Sequence, residues 1–124
     1  MIVYLAGPMR GQHQFGFPAF DRAATHLRTL GYEVVSPAEM DRRAGFDECE
    51  PHSEDEMAGL MPEFFRRDCC AICDSDGIAL MPGWGQSRGV AVELALAQVL
   101  GLKVIDATNG VELTDSEIEF ERLM

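Results

Sequence analysis

A single acidic side chain, Glu93, lies in an otherwise apolar helical segment just after a loop rich in glycine. Its neighbours are valine, alanine and leucine, and no cation follows within four positions. An isolated acid in such surroundings is a candidate for catalysis. The alternative is that Glu93 lies on a solvent-facing stripe with Gln86 and Gln98.

The loop that precedes Glu93 predicts an anion-binding site. A strand-like segment, residues 77–81, breaks at Pro82-Gly83, and the helix that follows carries Ser87, Arg88 and Gly89 in its first turn. The first N–H groups of a helix lack intrahelical partners, and the helix dipole favours negative charge at that end. An anion is therefore expected close to the candidate acid.

A second loop, residues 7–11, follows another strand-like segment near the start of the chain. Gly7 and Gly11 let the backbone approach a ligand closely, and Arg10 between them can hold an oxyanion with its guanidinium fork. Neither loop has the spacing of a Walker A motif or of a dinucleotide fingerprint. The two loops together favour a small anionic ligand.

The elements that position these loops alternate between strand and helix patterns, which predicts right-handed crossovers and a parallel sheet covered on both faces. Loops at the carboxyl ends of such strands bind ligands. We expect an α/β fold: one domain spanning residues 1–124, a Rossmann-like or flavodoxin-like three-layer sandwich with four to five parallel strands. The expected strands are residues 2–6, 33–36, 77–81 and 103–105. The first expected helix has Pro18 in its first turn, the second and third span residues 60–73 and 88–100, and a short last helix starts at a capping box, Thr114–Glu117. Residues 38–57 are expected to form a long excursion with one short helical turn.

Length and composition limit the class of protein. The 124 residues are 47% hydrophobic, which suits one globular core, and no apolar run approaches the roughly 20 residues that span a bilayer. The first residues resemble a strand and lack the charged front of a signal peptide, so a cytoplasmic protein is expected. A net charge of −11 argues against binding to duplex nucleic acid, although it allows one small anionic ligand.

Four cysteines raise the question of a metal site. Cys70 and Cys73 have the C-x2-C spacing of zinc ligands, and Cys49 and His52 offer two more. The C-x2-C pair falls within an expected helix, however, whereas zinc knuckles usually place it on a turn. Free thiols in a reducing compartment are the favoured interpretation, and no metal or other cofactor is expected.

Several short motifs, in this order and spacing, resemble the nucleoside 2-deoxyribosyltransferase-like fold. The chain shares the Tyr-Leu-Ala-Gly-Pro-Met opening and the Pro-Gly-Trp loop with small phage and bacterial domains of unassigned function. Its Ser-x-Gly-x-x-x-Glu element is similar to that of 2′-deoxynucleoside 5′-monophosphate N-hydrolases. The motifs that carry the resemblance are residues 4–11, Arg67-Asp68, Asp76 and residues 87–93.

The resemblance assigns roles to three residues. It implies that Glu93 attacks C1′ of a sugar, expelling the base and leaving a glycosyl ester. It implies that Asp68 assists the departing base, as proton donor or orienting group; the alternative is an ion pair with Arg66 or Arg67 on a solvated helix face. Tyr4 corresponds to a tyrosine that holds the nucleophile, and its alternative is a simple core aromatic.

The resemblance also suggests where a substrate binds. Classical nucleoside transferases carry acidic residues in the loop before the glutamate, whereas here residues 82–86 read Pro-Gly-Trp-Gly-Gln. The first turn of the following helix instead suits a 5′-phosphate. Trp84, Phe15 and Phe17 are candidates for stacking on a base, with simple packing as the alternative, and Met9 also suits a core position. The candidate substrate contacts are Gly7, Met9, Arg10, Gly11, Phe17, Trp84, Ser87, Arg88 and Gly89.

The expected function is therefore cleavage of the N-glycosidic bond of a (deoxy)nucleoside 5′-monophosphate, with release of the free base. One alternative is a nucleoside 2-deoxyribosyltransferase, and another is a non-catalytic nucleotide-binding or sensing module. A sheet of four or five strands leaves a shallow cleft at the strand ends, which buries too little of a nucleotide. A homo-oligomer, most simply a dimer, is therefore expected. The alternative is a monomer in which the apolar side chains of two helices are all internal. The side chains considered for a partner surface are Met57, Leu60, Met61, Phe64, Phe65 and Val99.

Overall fold

The computed structural model describes residues 1–123, and its centre is a sheet of four strands. The strands are β1 (Ile2–Ala6), β2 (Glu33–Val35), β3 (Gly77–Leu80) and β4 (Lys103–Asp106). Their order is β2-β1-β3-β4, and every neighbouring pair runs parallel. The parallel sheet expected from the sequence is confirmed, with four strands.

Helices cover both faces of the sheet and give the expected three layers. They are α1 (Phe17–Thr29), α2 (Pro37–Arg43), α3 (Glu54–Cys73), α4 (Arg88–Val99) and α5 (Asp115–Leu123). Successive strand residues point to opposite faces. Val3 and Leu5 of β1 accordingly belong to the core that includes α1, whereas Tyr4 belongs to the core that includes α4 and α5.

The segment 38–57 differs from the expectation of a long excursion. It contains most of α2 and the start of α3, which begins at Glu54 rather than Leu60, so Pro62 lies inside the helix. The Ser53 hydroxyl caps this start by accepting the N–H of Glu56 at 3.1 Å. The first turn of α3 is acidic, so apolar periodicity could not reveal it, although negative charge is favourable at a helix N-terminus.

The capping box at the start of α5 is confirmed. The hydroxyl of Thr114 accepts the N–H of Glu117 at 3.2 Å, and the carboxylate of Glu117 accepts the N–H of Thr114 at 3.3 Å. These reciprocal bonds satisfy two backbone donors at the helix start. Within residues 1–123, no helix has the length and apolarity needed to cross a membrane.

The loops after β1 and β3 meet between these two neighbouring strands, where the order of the strands in the sheet reverses. α1 carries the chain from β1 to one edge of the sheet, and α4 carries it from β3 to the other edge, which is where open α/β sheets bind ligands. The loops touch here: a Cβ on Gly7 would lie 2.7 Å from Sδ of Met81, and one on Gly83 would lie 3.5 Å from Cγ of Pro8. The close approach at Gly7 leaves no room for a side chain.

Candidate active site

Glu93 is buried in the face of α4 that packs on the sheet, with 7% of its surface exposed. The solvent-stripe alternative is therefore wrong. Tyr4, in the central strand β1, donates its hydroxyl to Oε2 of Glu93 at 2.5 Å. Burial raises the pKa of Glu93 to about 7; the hydrogen bond from Tyr4 opposes this shift and the charge of Asp68 adds to it. The acid is thus held near the midpoint of its titration at neutral pH.

Asp68 lies on α3 with only 14% of its side chain exposed. It accepts hydrogen bonds from Nη2 of Arg67 at 2.8 Å and from Nε at 3.2 Å. The ion pair considered from the sequence is therefore present, but it is largely buried instead of lying on a solvated face. Burial raises the pKa of Asp68, while Arg67 and the hydroxyl of Tyr4 act to lower it. Tyr4 thus lies close to both carboxyl groups.

Burial raises the pKa of the Tyr4 phenol, and the negative charges of Glu93 and Asp68 raise it further. Tyr4 therefore stays protonated and acts as a hydrogen-bond donor at neutral pH. The tyrosine also packs in the core beside the sheet, so the core position considered for it is observed together with its hydrogen bond to Glu93. The structure brings together the three residues predicted to be catalytic.

Asp41 joins this group and was not anticipated from the sequence. Nη2 of Arg67 donates to Oδ1 of Asp41 at 2.5 Å as well as to Asp68. Asp41 is 7% exposed, and burial raises its pKa to about 6 against the opposing effect of Arg67. The available signal was Pro37, which begins α2: Ala38 and Asp41 are three positions apart and both face inward.

A cavity of about 590 Å³ opens beside Asp41, between the loop after β1, α2 and the first half of α3. This volume is in the range of small-molecule sites. Four of the predicted substrate contacts, Met9, Arg10, Gly11 and Phe17, line it, although Phe17 is itself almost fully buried. The other lining residues are Phe15, Asp41, Phe46, His52, Glu54, Asp55, Met57, Ala58, Met61 and Phe64.

Phe15 adopts an unusual backbone conformation at the wall of this cavity. Its φ is +57°, that of Gln14 is +48°, and Gly16 continues the left-handed turn at +75°. A bulky residue pays roughly 1–3 kcal/mol for such a conformation, and strain of this kind clusters at ligand sites. The Phe15 ring packs against Phe46 with centroids 5.3 Å apart. The strain thus holds an aromatic ring against the cavity.

His52 fixes the loop that closes the cavity. One ring nitrogen lies 2.8 Å from the Glu56 carboxylate and the other 2.6 Å from the carbonyl oxygen of Asp47. Both partners accept hydrogen bonds, so the arrangement favours an imidazole ring that donates from both nitrogens. The hydrogen bonds to Asp47 and Glu56 raise the pKa of His52 accordingly. The ring also stacks on Phe46 with centroids 4.3 Å apart.

The cysteines are dispersed. Among residues 1–123 the one group of three metal-ligand side chains within reach of one another is Asp47, Glu48 and Cys49, which lies at the surface. Cys49, His52, Cys70 and Cys73, which were considered as zinc ligands, do not form such a group among these residues. The four free thiols are exposed or half-buried.

The N-terminus of α4 retains two available backbone donors. The Ser87 hydroxyl accepts the N–H of Val90 at 3.3 Å, and the carbonyl of Ser87 accepts the N–H of Ala91. The N–H groups of Arg88 and Gly89 therefore have no helical partner, and both residues are exposed. A hydroxyl that accepts can still donate, so Ser87 remains able to bind an anion.

Trp84 lies apart from the cavity beside Asp41. It is 6% exposed and packs in the core beneath α4, so the packing role considered for it is the one observed. Trp84 is one of the residues that line a second cavity, of about 610 Å³, between the end of β4 and α5. The remaining lining residues of the second cavity are Leu80, Met81, Pro82, Gly83, Asp106, Thr108, Leu113, Ser116, Glu117, Phe120 and Glu121.

Comparisons with known proteins agree with this architecture. Residues 1–106 match the family described as a domain of unknown function, DUF4406. No curated protein sequence matches the chain significantly. Among solved structures, a 2-deoxyribosyltransferase from the psychrotolerant bacterium Bacillus psychrosaccharolyticus matches with 25% identity and a TM-score of 0.59, covering 84% of this chain and 69% of its own. The chain therefore belongs to the DUF4406 family, within the nucleoside 2-deoxyribosyltransferase-like superfamily.

Proposed function

We propose that this protein cleaves the N-glycosidic bond of a (deoxy)nucleoside 5′-monophosphate with Glu93 as nucleophile. The observation that carries the proposal is the buried pair of Glu93 and Tyr4, one and a half turns into a helix whose first N–H groups are available. The similarity to a 2-deoxyribosyltransferase supports a nucleoside-processing enzyme at the level of the superfamily.

In the first step, the carboxylate of Glu93 attacks C1′ of the sugar. Tyr4 holds Oε2, and Oε1 has no hydrogen-bond partner among residues 1–123, so Oε1 is the attacking atom. The Oε1–C1′ bond forms as the bond from C1′ to the base nitrogen breaks, and a proton reaches the base from Asp68. Burial, which raises the pKa of Asp68, favours the protonated form that this transfer needs.

In the second step, water attacks the glycosyl ester at C1′. The water oxygen bonds to C1′, the ester C–O bond breaks, and Glu93 is released as a carboxylate. The proton from water returns to Asp68, which restores the starting state. The positive charge of Arg67, held against Asp68 at 2.8 Å, stabilises the Asp68 carboxylate that exists between the first step and the second.

The proposed phosphate contacts are Arg10, Ser87 and the N–H groups of Arg88 and Gly89. Among residues 1–123, the side chains of Arg10 and Arg88 form no ion pair. Arg28, Arg42 and Arg67, in contrast, all do. Cations without a carboxylate partner are free to bind a dianionic group. The contacts of a charged phosphate with guanidinium groups and helix N–H groups are strong in this setting.

The second candidate is transfer of the sugar to another base, which the activity of the structural relative favours. Hydrolysis and transfer share the first step and differ only in what attacks the ester. A non-catalytic nucleotide sensor remains as the other alternative, and the buried Glu93 with its raised pKa argues against it because it serves no purpose in binding alone.

The test is incubation of the protein with a panel of nucleosides and their 5′-monophosphates, followed by chromatography of the products. Free base and sugar phosphate in equal amounts support the hydrolase, and a new nucleoside formed when a second base is added supports the transferase. Binding without any base release, in a sample whose fold is verified by circular dichroism, would support the sensor and refute both enzymes. Glu93→Gln is the negative control.

A further inference from the structure

Asp41 is a buried carboxylate in a cavity wall that is otherwise mostly apolar. Among the described residues, two other acids line the cavity, Glu54 and Asp55, and both are exposed. Aromatic rings line the same cavity, and Phe15 and Phe64 each pack edge to face against Phe46. Two polar side chains in this wall are largely buried, and His52 has partners at both ring nitrogens, so Asp41 is the one suited to fix the orientation of a ligand.

One oxygen of Asp41 is occupied and the other is available. Oδ1 accepts from Nη2 of Arg67 at 2.5 Å. Oδ2 accepts no hydrogen bond from residues 1–123, and it is not among their fully buried unpaired side-chain atoms, which are Oγ of Ser36 and Nη1 of Arg67. The second oxygen is therefore open to a ligand. Arg67 fixes the orientation of the carboxylate.

The same arginine connects the cavity to the reacting groups. Nη2 of Arg67 lies 2.5 Å from Asp41 and 2.8 Å from Asp68, so the two carboxyl groups are separated by one guanidinium nitrogen. A base that occupies the cavity would thus lie next to the acid proposed to protonate it. A base in this position would meet Asp41, the buried acid of the cavity wall.

We propose that Asp41 is the specificity-determining residue of this site and that it selects bases that carry an exocyclic amino group. This proposal rests on the proposed function, because the proposed function identifies the ligand as the base of a nucleotide. An ionised carboxylate only accepts hydrogen bonds, so its partner on the base must be a donor. An amino group supplies that donor, whereas the carbonyl oxygen that replaces it in a deaminated base meets the carboxylate lone pair to lone pair.

The pKa of Asp41, raised to about 6 by burial, leaves the side chain mainly ionised at pH 7.5. A hydrogen bond to a charged group contributes enough to discriminate about tenfold to a hundredfold between ligands that have and lack the donor. Discrimination of this size separates adenine from hypoxanthine and cytosine from uracil. In each pair a carbonyl oxygen replaces the amino group, and the neighbouring ring nitrogen gains a hydrogen.

The first experiment compares base release by the unmodified protein from dAMP and dIMP, and from dCMP and dUMP, at pH 7.5. We expect kcat/KM to favour the amino-bearing member of the pair that fits by at least tenfold. Equal values, or a preference for the deaminated member, would overturn the assignment of Asp41 and leave the proposed hydrolysis intact.

The second experiment is independent of catalysis. Binding of adenine, hypoxanthine, cytosine and uracil to Glu93→Gln is measured by NMR titration. Selective binding of an amino-bearing base supports the role of Asp41 even if no nucleotide is ever cleaved, in which case only the proposed function fails. Equal binding of both members of each pair, or no binding of any of the four bases, refutes the inference.

The third experiment exchanges the side chain. Asp41→Asn keeps its one oxygen for Arg67 and presents an NH2 group, which only donates, so the amino preference should be lost. Asp74→Asn, at the exposed end of α3, is the matched control and should keep it. An unchanged preference in a folded Asp41→Asn protein contradicts the proposal; if that variant does not fold, the two measurements above decide.

Discussion

The hydroxyl of Tyr4 donates a 2.5 Å hydrogen bond to Oε2 of Glu93, joining the central strand to a helix 89 positions later in the chain. Both side chains are buried, and burial favours the neutral form of the acid. The hydrogen bond acts in the opposite direction by stabilising the carboxylate. The pair therefore keeps a nucleophile that is buried and yet ionisable near neutral pH.

Glu93→Gln should abolish base release and make the protein more stable at pH 8. Removal of a covalent nucleophile costs several orders of magnitude in rate. The folded-state pKa of Glu93 lies above its ordinary value, so its ionisation opposes folding as pH rises from about 4.5 to about 7, by about 3 kcal/mol at most. Urea unfolding at pH 5 and pH 8 measures the gain, which should be larger at pH 8.

The exposed Glu112→Gln is the matched control for charge and should change stability equally little at both values of pH. Wild-type turnover in Glu93→Gln would exclude the proposed nucleophile. A gain in stability that is the same at pH 5 and pH 8 would show that the carboxyl group of Glu93 is not perturbed as described.

Tyr4→Phe should move the pH dependence of catalysis. Base release requires ionised Glu93 and protonated Asp68, so kcat/KM should rise with pH as Glu93 ionises, with a pKa of about 7, and should fall at high pH as Asp68 loses its proton. The phenylalanine removes the hydrogen bond that lowers the pKa of Glu93, and the rising limb should then shift to higher pH. A pH-rate profile of both proteins measures the shift; a limb that stays in place would show that Tyr4 only packs.

Arg10→Ala should weaken binding of 5′-monophosphates about tenfold to a hundredfold more than binding of the matching nucleosides, because the guanidinium is proposed to contact the phosphate. Isothermal titration of both ligand types checks this. Arg22→Ala removes the same charge from an exposed position on α1 and serves as control. Equal losses for nucleoside and monophosphate would move Arg10 away from the phosphate.

A homodimer remains a prediction, and fewer of the candidate side chains are now available for its interface. Met57, Leu60 and Phe64 pack against the core, whereas Met61 is 42% and Val99 84% exposed. Light scattering should give twice the monomer mass of 13.7 kDa at micromolar concentration, and Val99→Glu should lower it. The exposed Thr25→Glu on α1 is the control. A monomeric mass in an active sample would rule out a shared site.

The order of strands and helices was predictable because it depends on local signals. Apolar periodicity gave the strands, a proline in the first turn marked the start of α1, and the Thr114–Glu117 box marked that of α5. Glu93 was recognisable as unusual because no neighbour in sequence accounts for it. These features arise from interactions within a few residues.

The environment of each candidate was decided by tertiary packing. α4 is apolar on nearly all sides, so its sequence does not indicate which face meets the sheet, and the burial of Glu93 follows from β1 and α3. Asp41 and Arg67 are 26 positions apart, and their ion pair exists only because α2 and α3 meet at the cavity. Long-range contacts of this kind leave no periodic trace in the chain. The sequence alone therefore determined which residues were available for chemistry, and the packing of helices on the sheet decided which of them share a site.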